Sequence, residues 1–362
     1  VTESIVLLRI AHFFAAMGYL EHGVWHKGWG RRHDAGGEFV RPASRFRARV
    51  TADGSSGFPA APGRYHLYVS TACPWAHRTL IFRKLKGLEE AISISIVDPL
   101  MGEEGWEFSA APGCIPDTVN GARYLRELYT RADPGYSGRV TVPVLWDKVS
   151  GTIVNNESAE IIRMLNAEFD AYAHRPDLDF YPPALRQEID RVNAFVYERV
   201  NNGVYRCGFA ATQAAYERAF DALFAALDAL EAWLARTRYL VGDRLTEADW
   251  RLFTTLVRFD AVYYTHFKCN LRRIADYPNL SNYLRELYQV PGVAETVNMD
   301  HIRRHYYASH RHLNPSGIVP KGPALDFDAP HDRASIFSAR ASAALTGRIE
   351  DPFLFDDSRK PR

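Results

Sequence analysis

Cysteine is scarce in this chain. Only Cys73, Cys114, Cys207 and Cys269 occur among 362 residues, and none belongs to a C-x-x-C pair. That spacing argues against a disulfide framework and against a cysteine-rich zinc site, and it fits free thiols in a reducing compartment. Net charge is also lacking: 44 Lys and Arg against 43 Asp and Glu leave +1, so no bulk field points to nucleic acid or to a membrane surface. No Walker loop and no G-x-G-x-x-G pattern is present, which leaves no signature for a bound nucleotide phosphate. Long apolar runs are missing too. Ile5 to Leu8 and Phe13 to Leu20 are apolar, but Arg9, His12 and Glu21 break or end them, so the segment is too short to span a bilayer. It has neither the charged start nor the cleavage site of a secretory signal. Residues 1–20 read as an added amphipathic segment or as a mis-set start, and the expected location is cytoplasmic.

What is present divides in two. Residues 1–63 read as an N-terminal extension and a Gly-, Arg-, His- and Pro-containing lead-in without a steady period. A short aromatic and β-branched run, Tyr65 to Ser70, predicts a strand. Thr71-Ala72-Cys73 turns, Pro74 suits a first helical position, and a helix from Trp75 ends at Gly87. Strands follow at Ala91–Val97, Thr141–Trp146 and Thr152–Val154, with a helix over 121–131 and another from Glu157. The resulting β-α-β-α-β-β-α order predicts a thioredoxin-like α/β domain over 64–170. The prolines of 171–182 suggest a linker. From 183 to 330 apolar residues recur every three or four positions, as in Leu185, Ile189, Val192, Val196 and Val200, which predicts an all-α domain. The polar tail 331–362 is expected to be frayed at its end. Trp146 and Trp250 read as core, and Thr246 with Asp249 as a helix cap.

Ser70-Thr71-Ala72-Cys73-Pro74-Trp75-Ala76-His77-Arg78 carries the strongest chemical signal. A cysteine at a strand-to-helix turn faces the positive end of a helix dipole, which favours thiolate, the nucleophilic form. Arg78 or His77 would add positive field. Position 76 is Ala, so no resolving thiol stands one turn on, and the partner thiol comes from a small molecule or a distant cysteine. A buried, inert thiol is the competing reading. Val142-Pro143 opens an inner strand, where a cis proline would leave the preceding backbone to pair with a peptide-like ligand, or where the proline merely marks an edge. Asn155-Asn156-Glu157-Ser158 opens a helix whose N–H groups suit a ligand carboxylate, or which is simply capped. His301, His305, His310 and His312 cluster, but Arg303, Arg304 and Arg311 crowd them and oppose a cation; no metal is expected.

Together Cys-Pro-Trp-Ala-His-Arg (73–78), Trp106, Val-Pro-Val-Leu-Trp-Asp-Lys (142–148) and Asn-Asn-Glu-Ser (155–158) resemble the glutathionyl-hydroquinone reductases, the Xi-class glutathione transferases. Leu-Thr-Glu-Ala-Asp-Trp-Arg-Leu-Phe (245–253), His-Phe-Lys-Cys-Asn-Leu-Arg-Arg-Ile (266–274) and His301 to His310 extend the resemblance over roughly residues 22–330. The resemblance implies the two-domain glutathione transferase fold and reduction of glutathionyl-hydroquinones with glutathione as co-substrate. It further implies a Cys73–glutathione mixed disulfide, release of glutathione disulfide, and a homodimer. By the same resemblance Trp106, Val142, Glu157 and Ser158, with Arg139 as a weaker candidate, contact glutathione. Tyr205 and Tyr306 would face the hydroquinone, unless they are helix-packing residues. Two alternatives stay open: an Omega-like thioltransferase or dehydroascorbate reductase, and a non-catalytic binding module of the same fold.

Overall fold

The run Tyr65–Val69 is apolar or aromatic at nearly every position, and the computed structural model buries all five residues as strand β3. Such a strand needs neighbours on both edges and cover on both faces. It is preceded by a hairpin of β1 (Gly18–Glu21) and β2 (Val24–Lys27). The structure describes residues 18–28, 33–341 and 353. Most of the N-terminal segment and of the frayed tail expected from the sequence lies outside them.

Helix α1 (Pro74–Leu85) follows β3, with Cys73 at its N-cap and Pro74 at its first position. Strand β4 (Ile92–Ile96) then pairs with β3 in parallel. After a long loop come α2 (Leu125–Ala132), β5 (Val144–Asp147), β6 (Thr152–Asn155) and α3 (Ser158–Ala167). Strand β5 runs antiparallel to β3 and to β6, giving the sheet order β4-β3-β5-β6. The predicted β-α-β-α-β-β-α order is therefore present. Strand β5 starts three residues later than expected, after Pro143, which has no N–H to give the ladder. The peptide between Val142 and Pro143 is cis.

The lead-in is less irregular than the sequence suggests. His22 and Gly23 both take positive φ, 49° and 79°, the requirement of a type I′ turn, and close the β1–β2 hairpin. Leu20 and Gly138 exchange both backbone hydrogen bonds, at 2.9 and 2.8 Å, and fix the hairpin to the segment before β5.

Contacts among Cα atoms divide the chain into two units. The first holds the hairpin, residues 40–178 and residues 295–322; the second holds residues 33–39, 179–294 and the chain from 323. The second is helical: α4 (Arg186–Phe195), α5 (Gly203–Gly208), α6 (Gln213–Leu234), α7 (Glu247–Arg258) and α8 (Pro278–Tyr288). Thr246 and Asp249 form the expected capping box of α7, and Trp146 and Trp250 are fully buried. Segment 295–322 groups with the first unit, although its helical period places it with the helices in the sequence. It carries α9 (Met299–Arg304) and a wide turn, His305–Ser309. Near its start Lys84 pairs with Glu295 at 2.8 Å, and His77 Nε2 lies 2.8 Å from Thr296 Oγ1.

Lys86, fully buried at the end of α1, donates to Asp170 Oδ1 at 2.6 Å and to the Leu178 carbonyl at 2.7 Å. A buried ammonium is tolerated because its donors are satisfied. The 171–178 part of the expected linker is thereby tied to the first unit, not left free. Among the described residues no helix is long and apolar enough to cross a membrane.

Asp147, at the end of β5, supplies a pH test of the sheet. Burial raises its pKa, but the bidentate contact with Arg64 (2.8 and 2.6 Å) and the bonds from Ser150 and Val149 outweigh it and hold the group at about 2. A carboxyl depressed in the folded state contributes stability above its unfolded pKa, and loses it as pH falls towards the folded value. Asp147→Asn is expected to lower the melting temperature at pH 7. The gap to the parent protein should narrow as pH drops from about 4 towards 2, which thermal melts across that range would read.

Candidate active site

Strand β3 is covered along its length, so its carboxyl end is where a side chain can emerge, and ligands of open α/β sheets bind at such ends. Cys73 stands there. Its backbone is extended (φ −78°, ψ 122°), its carbonyl accepts the first helical bond from His77 N–H at 3.0 Å, and its N–H donates to Ser70 O at 3.2 Å. The thiol is half-buried and lies 3.7 Å from the Val142 carbonyl oxygen. The N-cap position sets the sulfur at the positive end of the α1 dipole. One turn on, Ala76 is fully buried.

Arg78, which the sequence offers only as a source of field, is almost fully buried. Its guanidinium lies over the Trp75 ring at 4.6 Å, and Nη1 is 3.4 Å from Ser158 Oγ. Arg41 lies over the same ring at 4.8 Å. Trp75 thus carries two cations. Arg139 is half-buried, and its pKa is brought down to about 10 by burial and by the nearby charge of Arg41, so it remains a cation at neutral pH. Three guanidiniums near one another are the electrostatics of an anion site.

Glu157 is the N-cap of α3 and accepts from Ala159 N–H at 3.1 Å, while Ser44 Oγ donates to its other oxygen at 3.1 Å. Capping occupies part of a carboxylate that has about four lone-pair sites. Thr141 and Asn156, the residues just before Val142 and Glu157, are held by a group that sequence reasoning missed. The Tyr129 hydroxyl donates to Thr141 O at 2.7 Å and accepts from Thr141 N–H at 3.2 Å and from Asn156 Nδ2 at 3.1 Å. Burial raises its pKa, so it stays a donor. Nothing local in the sequence marks Tyr129; its partners lie 12 and 27 residues away.

Trp106 is mostly buried and stacks on His305, centroids 4.8 Å apart and planes at 20°. His305 Nδ1 lies 2.9 Å from the Pro99 carbonyl. Tyr306 is buried, with its ring edge-on to His305 and His310, each at 5.3 Å. The first unit therefore contains Cys73, Trp106, Arg139, Val142, Glu157, Ser158 and Tyr306. Tyr205 belongs to the second unit, on α5, among the rings of Phe209, Tyr263 and Phe267.

Two family models match, the glutathione S-transferase N-terminal domain over residues 72–168 and the C-terminal domain over 213–286. The glutathionyl-hydroquinone reductase YqjG of Escherichia coli is 57% identical over 324 residues, 88% of this chain and 98% of that protein. The chain belongs to the glutathionyl-hydroquinone reductases of the glutathione transferase superfamily. A glutathione-bound structure of YqjG matches with a TM-score of 0.82 at 55% identity, covering 88% of this chain and all of that one. A Xi-class transferase from Natrialba magadii matches with a TM-score of 0.85 at 52% identity, covering 89% and 98%. The chain is accordingly an enzyme of this family, and the two-domain transferase fold expected from the sequence is the one observed.

Tyr129→Phe would leave the Thr141 carbonyl, the Thr141 N–H and the Asn156 amide without this partner. Stranding buried polar groups costs about 1–3 kcal/mol each when nothing replaces the bond. The variant is expected to be destabilised by roughly that amount, and to show a raised KM for glutathione with a smaller change in kcat. Urea unfolding and steady-state kinetics measure the two effects.

Proposed function

We propose that this chain reduces glutathionyl-hydroquinones to hydroquinones with glutathione, through a mixed disulfide on Cys73. The observation that carries the reading is the half-exposed Cys73 sulfur at the start of α1, beside the Val142 carbonyl, with Ala76 where a second thiol would resolve it internally. The bound glutathione of the Escherichia coli relative supports the choice of thiol.

In the first step the Cys73 thiolate attacks the sulfur of the glutathionyl group. A sulfur–sulfur bond forms and the bond from sulfur to the aromatic carbon breaks. The electron pair leaves with the ring, which takes up a proton and departs as hydroquinone. In the second step a glutathione thiolate attacks the mixed disulfide, giving glutathione disulfide and restoring the Cys73 thiolate. Over the cycle one glutathione thiol and the thioether sulfur of the substrate are joined as a disulfide, while the ring carbon gains the electron pair and a proton, so the electrons balance without a metal or a nicotinamide.

The Val142 backbone pairs with the cysteinyl part of glutathione. Glu157, Ser158 and the α3 N-terminus hold its γ-glutamyl end, and Trp106 with Arg139 closes over the remainder. Arg139, Arg41 and Arg78 supply the positive potential that a tripeptide with two carboxylates calls for. Tyr306, in the first unit with Cys73, donates to a phenolic oxygen as negative charge develops on the leaving ring.

Cys73→Ser is expected to abolish turnover of a glutathionyl-hydroquinone while leaving the melting temperature close to that of the parent. Mass spectrometry after a single turnover without free glutathione should find one glutathione on the Cys73 peptide. Full activity in the serine variant, or an adduct on another cysteine, would overturn the mechanism.

A further inference from the structure

His301 and His305 share one face of the 299–309 segment, and the proposed chemistry leaves His301 without a role. It is buried almost completely, in the first unit, and both ring nitrogens are engaged. Nδ1 lies 2.8 Å from Thr71 Oγ1, and Nε2 lies 2.8 Å from the Pro112 carbonyl oxygen. A carbonyl can only accept, so Nε2 carries the proton. In the neutral ring Nδ1 then holds a lone pair and accepts from the Thr71 hydroxyl.

Thr71 is two residues before Cys73. It sits in the turn closed by Cys73 N–H to Ser70 O (3.2 Å) and by Ala72 N–H to Ser70 Oγ (3.3 Å). Pro112 belongs to the loop between β4 and α2, which also carries Trp106. Gly113 has φ of 80°, and a Cβ there would stand 2.7 Å from His301 Nε2; only glycine lets this loop come so close to the ring. The His301 backbone is fixed as well, since its N–H donates to Asn298 Oδ1, the cap of α9, at 3.0 Å. One imidazole, 230 residues from Thr71 in sequence, therefore joins the reactive turn to the Trp106 loop.

We propose that His301 is a positioning residue for Cys73: by clamping Thr71 to Pro112 it fixes where the sulfur stands over the start of α1. The inference rests on the reading of Cys73 as the nucleophile. Loss of the clamp frees the turn, while Trp106 keeps its own stacking on His305 and Val142, Glu157 and Ser158 stand on other segments, so the contacts to glutathione change less than the position of the sulfur. Displacements of an ångström at a reacting atom cost up to about a hundredfold in rate.

The test uses Thr71→Val, Thr71→Ser, His301→Phe and the double variant Thr71→Val/His301→Phe, in the full-length protein. Two quantities are read: kcat and KM for glutathione with a glutathionyl-hydroquinone, and the rate of Cys73 alkylation by iodoacetamide. Thr71→Val and His301→Phe should each lower kcat about tenfold or more, with KM for glutathione within about twofold, and should slow alkylation in parallel. Thr71→Ser, which keeps the hydroxyl, should restore both. The double variant should be no worse than the more damaging single one, because both remove the same bond. Should His301→Phe fail to fold, Thr71→Val against Thr71→Ser still decides. If Thr71→Val matches the parent in kcat and alkylation, or if the two losses multiply, the clamp is refuted. Alkylation does not require turnover. An active Cys73→Ser variant would thus sink the catalytic reading, whereas an alkylation rate indifferent to Thr71 sinks only the clamp.

Discussion

The end of β3 is where the requirements of the fold and of the chemistry meet. The strand is buried on both faces and paired on both edges, so its backbone has no freedom to adjust. Its last residues pass directly into α1, with Pro74 fixing the first helical φ. Position 73 is therefore delivered to the mouth of the helix dipole, as far as the turn over 70–72 is held. The groups around that point are polar and buried, and a buried polar group is stable only when its bonds are made. Ser70, Thr71, Arg78 and Ser158 are the buried polar residues there.

The same rule explains how separate loops are held in register. The segment before Pro143 and the segment before Glu157 belong to different connections, yet both close on the Tyr129 hydroxyl. The 98–114 loop closes on segment 298–310 through His301 to Pro112, His305 to Pro99 and Met101 N–H to Ser309 Oγ. Each bond contributes only about 0.5–1.5 kcal/mol net, but losing one partner exposes the other to the full cost of an unmade bond. Such networks fix geometry more than they add stability.

This also sets what could be read from the sequence. The strand, the turn at Cys73, the helix started by Pro74 and the helix capped at Glu157 have local signatures, because proline, the N-cap and β-branched runs act on neighbouring residues. The hairpin of 18–27 was hidden, since its strands are four residues each and its turn is His22-Gly23, a weaker signal than Asn-Gly. The affiliation of 295–322 with the first unit was not legible. A helical period says which face is apolar, and it does not say which core that face meets. The histidines of this segment illustrate the point. Spacing suggested a shared face, and the charge of nearby arginines argued against a cation. Their use as donors to the Pro99 and Pro112 carbonyls depends on partners about two hundred residues away.

The remaining cysteines bear on why an external thiol completes the proposed cycle. Attack on a mixed disulfide needs a thiolate within reach. Burial raises the pKa of Cys114, and the nearby charge of Asp98 raises it further. Cys269 is fully enclosed in the second unit and is raised well above the usual thiol value, by burial first and by the neighbouring Cys207 after it. Cys207 is likewise buried. Ala76 removes the thiol that could have reached Cys73 along its own helix. Within the proposed cycle a half-exposed Cys73 mixed disulfide is therefore open to a small thiol from solution, the part a second glutathione is proposed to play.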